Sequence, residues 1–504
     1  MQIALLFVFK PSLSFCAYLF EGLVVFYLMS SGNQKKHSQH PLRKKILGVV
    51  LKGILVILLL ESIVYFGSNL FLAGIARQKL NESSDGVYEI GFNRFNLSLL
   101  RRGFFLDGIV MKPIHPENSK VDQTLFEFTL DEISFSGLWY DFSENEFSVS
   151  KIHLDNPNLQ LFNLDSSKVH STTESPRESA IKILESEIRK SIRRLSLRGF
   201  YVDLIEIDHA NFFFFNFLSQ GELSAKNTSI RIYDLDWTTT EDWDTPFNAK
   251  GIDFDLEQAT FPLPDGVHTV GSEKVHISSL EKSVEILGFS LTPNLKADSR
   301  SYYQVNLERL RLGNADLDKA FMTSELEADE LIMDRPVIKV IKSDFAQSDT
   351  IASGDLNDFI QGKLNSISIK ELSVNDAQFL KENRGDSLKN RIQLDDLDFK
   401  MVGFYLGQDQ SRKSNQFFYG DEASMEITRS KLFLGDGIHI LEGNKISVSS
   451  FKDELVVRDL KVYPTNDPLL IRSAKNLVTI SLPELSLLDV DLKKLYQTDL
   501  LEVD

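Results

Sequence analysis

Residues that could perform chemistry are scattered through this chain of 504 residues rather than grouped. The sequence has no G-x-S-x-G, H-E-x-x-H, P-loop or G-x-G-x-x-G pattern, and no Ser, His and Asp at a spacing typical of a catalytic triad. Its one cysteine, Cys16, excludes a disulfide framework and a zinc site built on cysteines. The sequence therefore predicts no catalytic residue, no cofactor and no bound metal, in a protein that is not an enzyme.

One histidine position recurs, because His268 and His439 each follow an Asp-Gly turn. A metal role would require carboxylate or imidazole ligands on the same strand or across a hairpin, so we interpret both as strand histidines that face solvent. Acidic runs at 233–237 and 394–399 suggest calcium at first sight. Alternation along a strand instead puts these acids on its polar, solvated face.

The charge is unevenly distributed along the chain. The net charge of −17 argues against a nucleic-acid-binding protein, because phosphate binding needs clustered Lys and Arg. Residues 1–45 nevertheless contain six basic residues and one acidic residue, for a net charge of +5, and the remainder has −22. Five of these positive charges lie at 35–45, directly before an apolar run. That arrangement is typical of the cytoplasmic flank of a membrane span.

We predict that residues 46–76 form a transmembrane helix. The stretch from Gly53 to Ile75 is long enough to cross a hydrocarbon core of about 30 Å at about 1.5 Å per residue. The positive-inside rule leaves the basic segment 31–45 in the cytoplasm and the body of the chain on the other side of the membrane. Residues 1–30 form a second apolar stretch, which is either a first span or a leader upstream of the true start.

Two charged residues lie in or beside this span, and we take both as anchor residues. Lys52 can extend its amine toward the basic flank. Glu61 lies mid-span, where an acid is either a functional group or simply tolerated in a Leu-rich helix.

Beyond residue 86 the pattern is that of β-strands. Short segments alternate apolar and polar residues, and Gly, Pro, Asn and Asp separate them at short intervals. Only 177–195 and 355–367 place apolar residues at helical spacing. We therefore predict a mostly β protein with an N-terminal transmembrane helix, an elongated, curled antiparallel sheet of stacked repeats, and a few short helices. About 25 strands spaced by about 4.8 Å would extend on the order of 120 Å.

Segments of the chain recur at slowly drifting offsets. Residues 264–279 match 435–450 at an offset of 171, and 152–162 match 331–341 at an offset of 179. The last four residues match 326–329, after which the earlier copy continues, so we expect the final unit to be truncated and the chain to be part of a longer protein. The predicted β units are residues 87–176, 177–354 and 355–504, the last two each beginning with a helix.

This organisation resembles the AsmA-like family, which includes TamB and its larger relatives in Gram-negative envelopes. The likeness rests on the single span with its basic flank, on YEIGF followed by RRGFFLDGIVMKP (101–113), and on the recurring strand patterns ISIKELSVNDAQF (367–379) and LIEIDHANFFFF (204–215). It implies a periplasmic β-groove, anchored in the inner membrane, that carries phospholipids between the two membranes or supports outer-membrane assembly.

A sheet with one apolar face must cover that face. The sheet could remain an open trough whose lining binds acyl chains, which stacked repeats favour. The protein would then use membrane phospholipids, with outer-membrane or envelope proteins, as partners in lipid transfer or outer-membrane biogenesis. The alternative is a non-enzymatic scaffold, or assembly factor for outer-membrane proteins, with a dry β core. The candidate groove residues are Leu159, Leu161, Val275, Ile277, Ile338, Val340, Ile446 and Val448.

Overall fold

A computed structural model gives the fold of the chain. It describes residues 40–83, 88–114, 125–163, 197–216, 221–238, 248–263, 267–293, 302–342, 364–383, 390–407, 419–466, 471 and 476–490.

The first element is a long helix, α1 (His40–Ser83), of 44 residues. It extends beyond the predicted 46–76 at both ends. Its segment Val50–Gln78 is long and apolar enough to cross a membrane, and it is the one such helix among the described residues. Apolar side chains project from it into solvent, among them Leu55 (66% exposed) and Phe71 (78%). These observations are consistent with a single membrane anchor near the N-terminus.

The rest of the described chain is almost entirely strand. A short helix, α2 (Leu317–Thr323), interrupts it and is capped by the Asp316 carboxylate, which accepts a hydrogen bond from the backbone N–H of Lys319. The strands are β1 (Tyr88–Gly91), β2 (Arg94–Ser98), β3 (Gly103–Pro113), β4 (Leu125–Ser136), β5 (Trp139–Asp141), β6 (Glu146–Asp155), β7 (Asn158–Asn163), β8 (Gly199–Asn216), β9 (Gly221–Thr238), β10 (Ala249–Pro262), β11 (His268–Ser278), β12 (Ser283–Pro293), β13 (Tyr302–Gly313), β14 (Glu325–Asp334), β15 (Val337–Lys342), β16 (Ser366–Asn383), β17 (Ile392–Gly407), β18 (Glu422–Phe433), β19 (His439–Gly443), β20 (Lys445–Ser449), β21 (Glu454–Pro464) and β22 (Ile480–Leu487).

All 22 strands belong to one sheet. We call each strand position across the sheet a level. In five places two strands lie end to end and share one level: β1 with β2, β4 with β5, β6 with β7, β14 with β15, and β19 with β20. The described strands therefore occupy 17 levels, and the 16 intervals between them, at about 4.8 Å each, span about 77 Å. The predicted length of about 120 Å was too large, because it gave every strand a level of its own.

The sheet is mixed rather than purely antiparallel, which corrects the prediction. The level of β6 and β7 pairs parallel with β8, and the level of β14 and β15 pairs parallel with β16. Parallel neighbours need a crossover connection, and both connections contain a predicted helix. The helix predicted at 177–195 lies outside the described residues. Of the helix predicted at 355–367, only 364–367 are described, and Ser366 and Ile367 belong to β16, so the prediction is wrong at that end.

A line of bulges crosses the sheet from β3 to β21. At these points the pairing skips a residue or passes from one short strand to the next, as between Ile207 and Ala210 and between Val374 and Ala377. A bulge bends its strand and increases its twist, so a continuous line of bulges curls the sheet into a trough. The left-handed residues of the line, with φ between 49° and 63°, are Gly108, Asn156, His209, Asn227, Gln258, Gly288, Arg335, Asp376, Asp396 and Asp459.

Candidate functional site

Residues directly opposite each other on adjacent strands lie on the same face of a sheet. Following this pairing from β2 to β18 gives fourteen residues, one per level, and every one of them is apolar. They are Phe95, Leu106, Ile133, Leu154, Ile207, Ile230, Phe254, Ile277, Val284, Leu312, Leu331, Leu372, Met401 and Ala423.

A second apolar row runs two residues away on the same face, from β10 to β22. Its members are Leu256, Val275, Ile286, Leu310, Met333, Val374, Phe399, Met425, Val448, Leu455 and Leu487. We call the two rows together the apolar stripe. The stripe reaches from the level beside α1 to the last described strand.

The apolar stripe is only partly covered by protein. Four of its members are buried: Leu312, Leu372, Met401 and Ala423. Residues just after the strands pack over parts of it, among them Val490, which contributes to the cluster around Met401. The other members of the stripe are half-buried, so their side chains still contact solvent along most of the sheet.

The opposite face of the sheet is polar. One row there consists of Ser134, His153, Glu206, Arg231, Asp253 and Ser278, each opposite the next. Ion pairs connect neighbouring strands on this face, such as Arg309 with Asp334 at 2.7 Å. The Asp334 carboxylate accepts hydrogen bonds from Asn375 and Arg309, which lower its pKa. The sheet is therefore amphipathic over its whole width, with charges on one side and the apolar stripe on the other.

Three predicted groove residues, Val275, Ile277 and Val448, are members of the apolar stripe, and Ile446 lies beside Val448 on the same face. All four are half-buried. Contact of these side chains with acyl chains stays a prediction.

The other four predicted groove residues lie nearer one end of the strands. Leu159 lies opposite Phe128 and Phe212, in an apolar row, and Ile338 lies opposite Val305 and Phe379. These two rows have the character predicted for a lining.

Val340 has a mixed environment, because it lies between Tyr303 and Lys381. The backbone of Leu161 pairs with Phe126 and Phe214, and its side chain lies outside the described residues.

Glu61 connects α1 to the sheet. Its carboxylate accepts hydrogen bonds from Ser98 Oγ at 2.6 Å and from the backbone N–H groups of Leu99 and Leu100 at 2.9 and 3.1 Å. The structure thus gives this acid a role that differs from both alternatives drawn from the sequence, since it fastens the turn between β2 and β3. Lys52 lies exposed on the same helix.

Further side chains of α1 bind the free edge of β2. Ser68 Oγ accepts from the N–H of Leu97 at 2.9 Å, and Asn69 Oδ1 accepts from the N–H of Phe95 at 3.1 Å. Without such partners, an edge strand offers its backbone to other chains.

His268 and His439 are buried, at 7% and 8% exposure, so the prediction that they face solvent is wrong. His268 Nε2 accepts the backbone N–H of Tyr303 at 3.0 Å, and His439 Nε2 accepts that of Val478 at 2.9 Å. Each ring therefore connects the start of its own strand to the backbone of a segment two levels away. The role of both histidines is structural.

The turn before His439 is ordered by Asp436. The Asp436 carboxylate accepts from the backbone N–H groups of His439 and Ile438 and bonds His439 Nδ1 at 2.6 Å. Hydrogen bonds from the His439 backbone, and then from its ring and the Ile438 backbone, lower the pKa of Asp436 to about 2.

A group that the sequence did not indicate lies on the polar face, where parallel pairing joins β6 to β8. His153, Glu206 and Asp208 place three potential metal-ligand atoms within 4.8 Å of one another. Lys151 Nζ already lies 2.5 Å from Glu206, and Arg231 pairs with both carboxylates. The Lys151 hydrogen bond lowers the pKa of Glu206. The arrangement is that of an ion-pair network in which two cationic side chains compete with any metal.

Comparison with known proteins places the chain in no family. No family model matches it, and no curated protein matches it. Among solved structures, it has a weak similarity to the "Crystal structure of Sex pheromone staph-cAM373 precursor", with 10% identity over 66% of this chain and 88% of the other and a TM-score of 0.12.

Proposed function

We propose that this protein is a membrane-anchored β-groove that binds lipid acyl chains along the apolar stripe and supports lipid transfer to, or biogenesis of, the outer membrane. The proposal places the sheet in the periplasm and α1 in the inner membrane. The observation that supports it is the unbroken row of fourteen apolar residues from Phe95 to Ala423, most of them half-buried.

The chemistry of the stripe suits acyl chains. Burial of an apolar surface is favourable by about 0.8 kcal/mol per CH₂ group, and it needs no polar partner at a fixed position. A chain of methylene groups can therefore bind anywhere along such a stripe and move from level to level without breaking hydrogen bonds. The resemblance to AsmA-like proteins is in keeping with this proposal.

Val374→Asp and Ser373→Asp form a matched pair for testing it. Val374 belongs to the stripe and lies between Met333 and Phe399. Ser373 is the next residue on the same strand, faces the other side, and lies opposite Lys400. One new charge therefore enters the stripe in the first variant and the polar face in the second.

The experiment is purification of the full chain in mild detergent followed by mass spectrometry of bound lipid. We expect phospholipid with the unaltered protein and with Ser373→Asp, and several-fold less with Val374→Asp, Val275→Asp and Ile277→Asp. Circular dichroism should show unchanged strand content in all of them. Equal lipid in the stripe variants and the control would refute the proposal, as would an unaltered protein free of lipid.

The alternative function, a scaffold for outer-membrane protein assembly, is favoured by one observation. Within the described residues β22 pairs only with β21, and its apolar side chains Ile480 and Leu482 are 54% and 37% exposed. Such an edge could add a strand from a partner. A lipid-free protein that copurifies with a stoichiometric envelope protein would favour this function over the groove.

A further inference from the structure

The turn between β2 and β3, residues 99–102, has α1 on one side and the connection between β4 and β5 on the other, where the N–H groups of Gly137 and Leu138 donate to the carbonyls of Arg101 and Arg102 at 3.0 and 2.8 Å. We call it the first turn. Glu61 holds the backbone N–H groups of its first two residues at 2.9 and 3.1 Å. Farther along α1, Arg77 donates to the carbonyl of Phe92, just before β2, at 2.9 Å. The strand β2 therefore runs antiparallel to α1, and the first turn points back toward the basic N-terminal flank.

A bilayer that leaves β2 outside its hydrocarbon core brings lipid to the first turn. Ser68 and Asn69 of α1 hold β2, so the core must end before them. A core of about 30 Å needs about 20 helical residues, and the apolar run of α1 begins at Ile46, so the core ends near Tyr65, four residues beyond Glu61. Because the first turn is hydrogen-bonded to Glu61, it lies at the boundary of the hydrocarbon core.

The residues of the first turn suit that position. Leu100 is 59% exposed, and Arg101 and Arg102 follow it, both exposed. An arginine can keep its stem against apolar groups while its guanidinium reaches the headgroup region. A guanidinium also binds phosphate with paired hydrogen bonds.

Two other four-residue turns of the sheet, at residues 279–282 and 450–453, resemble the first turn. The last residue of each of the three turns is left-handed, with φ of 47°, 52° and 49°. Each also exposes an apolar residue in second position, Leu280 at 48% and Phe451 at 43%. The charges differ: these two turns each pair one acid with one lysine, whereas the first turn has two arginines and no acid. Among the three, the first turn alone lies against α1.

We propose that the first turn is a second membrane contact, in which Leu100 enters the edge of the acyl region while Arg101 and Arg102 bind phosphates of anionic phospholipids. The inference rests on the membrane span of the proposed function and is independent of lipid transfer. Because α1 already holds β2, a second contact would fix the orientation of α1 and the first level of the sheet together against the bilayer.

The test places an environment-sensitive fluorophore on single cysteines in a Cys16→Ser background of the full chain. Leu100→Cys is the test position, and Leu280→Cys and Phe451→Cys are matched controls in equivalent turns. Leu55→Cys, on the exposed surface of α1, reports the anchor itself. The protein is reconstituted into phosphatidylcholine vesicles with and without phosphatidylglycerol, and quenching by lipids with a nitroxide in the acyl chain is measured.

We expect a blue-shifted, quenched label at positions 55 and 100 and a solvent-like label at 280 and 451. In vesicles with phosphatidylglycerol, Arg101→Gln/Arg102→Gln should lower the ratio of quenched to unquenched label at position 100 by roughly 30-fold. Quenching at 55 with none at 100 would overturn this inference while leaving the groove proposal standing. No quenching at 55 would overturn both the anchor and the inference, and quenching at 100 that is indifferent to both arginines would overturn the phosphate contact.

Discussion

Replacing Glu61 should loosen the junction between α1 and the sheet without unfolding the sheet. Glu61→Ala removes the acceptor of all three hydrogen bonds from Ser98, Leu99 and Leu100. Glu61→Gln keeps one carbonyl oxygen as acceptor and loses the charge. Ser62→Ala is the matched control, because the Ser62 hydroxyl bonds only within α1, to the carbonyl of Leu58 at 2.9 Å.

The magnitude follows from the kind of bond that is lost. A hydrogen bond to a charged group contributes about 1.5–3 kcal/mol net. Water of the headgroup region can reach the turn, and Ser68 and Asn69 continue to hold β2. We therefore expect the free energy of local opening to fall by about 2–4 kcal/mol in the alanine variant, which corresponds to roughly 30- to 1000-fold faster exchange.

Native-state hydrogen exchange, read by mass spectrometry on the peptide that contains Leu99 and Leu100, measures this opening. The order expected is Glu61→Ala fastest, Glu61→Gln intermediate, and Ser62→Ala indistinguishable from the unaltered protein. Peptides from β16 and β17 should exchange at the same rate in all variants. Unchanged exchange at Leu99 and Leu100 in Glu61→Ala would show that the carboxylate does not hold the turn.

Three further predictions concern the turns and bulges of the sheet. The folded-state pKa of Asp436, about 2, lies below the usual value of about 3.9. The contribution of this carboxylate to stability is therefore present above pH 4 and disappears as the pH falls to 2. Asp436→Asn should weaken the pH dependence of the urea midpoint in that range. His439→Leu leaves the backbone N–H of Val478 without its acceptor and should cost about 1–3 kcal/mol, with faster exchange at that amide and partial rescue by His439→Gln. At the line of bulges, Gly288→Ala should lower the free energy of unfolding by about 1–2 kcal/mol and Gln258→Gly should raise it, because both positions have positive φ. The thermal unfolding temperature should therefore fall in the first variant and rise in the second, and the opposite order would contradict the strain argument.

The apolar face could be predicted from the sequence because its signal is local. Alternation with a period of two residues depends only on neighbours along one strand, and it correctly indicated a mostly β chain with one apolar face. The candidate residues Val275, Ile277 and Val448 are apolar strand residues that recur between the matching segments, and the pairing places them in the two rows of the apolar stripe.

Features that depend on distant partners could not be predicted in the same way. His268 bonds a backbone group 35 residues away, and His439 one that is 39 residues away, so nothing in the neighbouring sequence shows that these rings are buried. The positions of the bulges could not be predicted from the sequence either. Several lie at His, Gln and Arg residues such as His209 and Gln258, whose types do not mark left-handed backbone as Gly would.

The position of Glu61 is explained by what equivalent turns do elsewhere in the sheet. In the turn after β11, the N–H of Ser279 donates to the carbonyl of Ile252 on the preceding strand at 3.0 Å. In the turn after β20, the N–H of Ser450 donates to the carbonyl of Ala423 at 2.9 Å. In both cases the strand one level earlier supplies the acceptor.

At the first level that earlier strand is replaced by α1. A helix cannot offer its backbone carbonyls sideways, because they are used in its own hydrogen bonds, so a side chain must supply the acceptor. Glu61 does this twice: one oxygen accepts the N–H of Leu99, and the other accepts Ser98 Oγ at 2.6 Å, as Asp253 accepts Ser278 Oγ at 2.6 Å on β10. An acid within an apolar span is costly, and it is needed here because the first edge of the sheet lies against a helix.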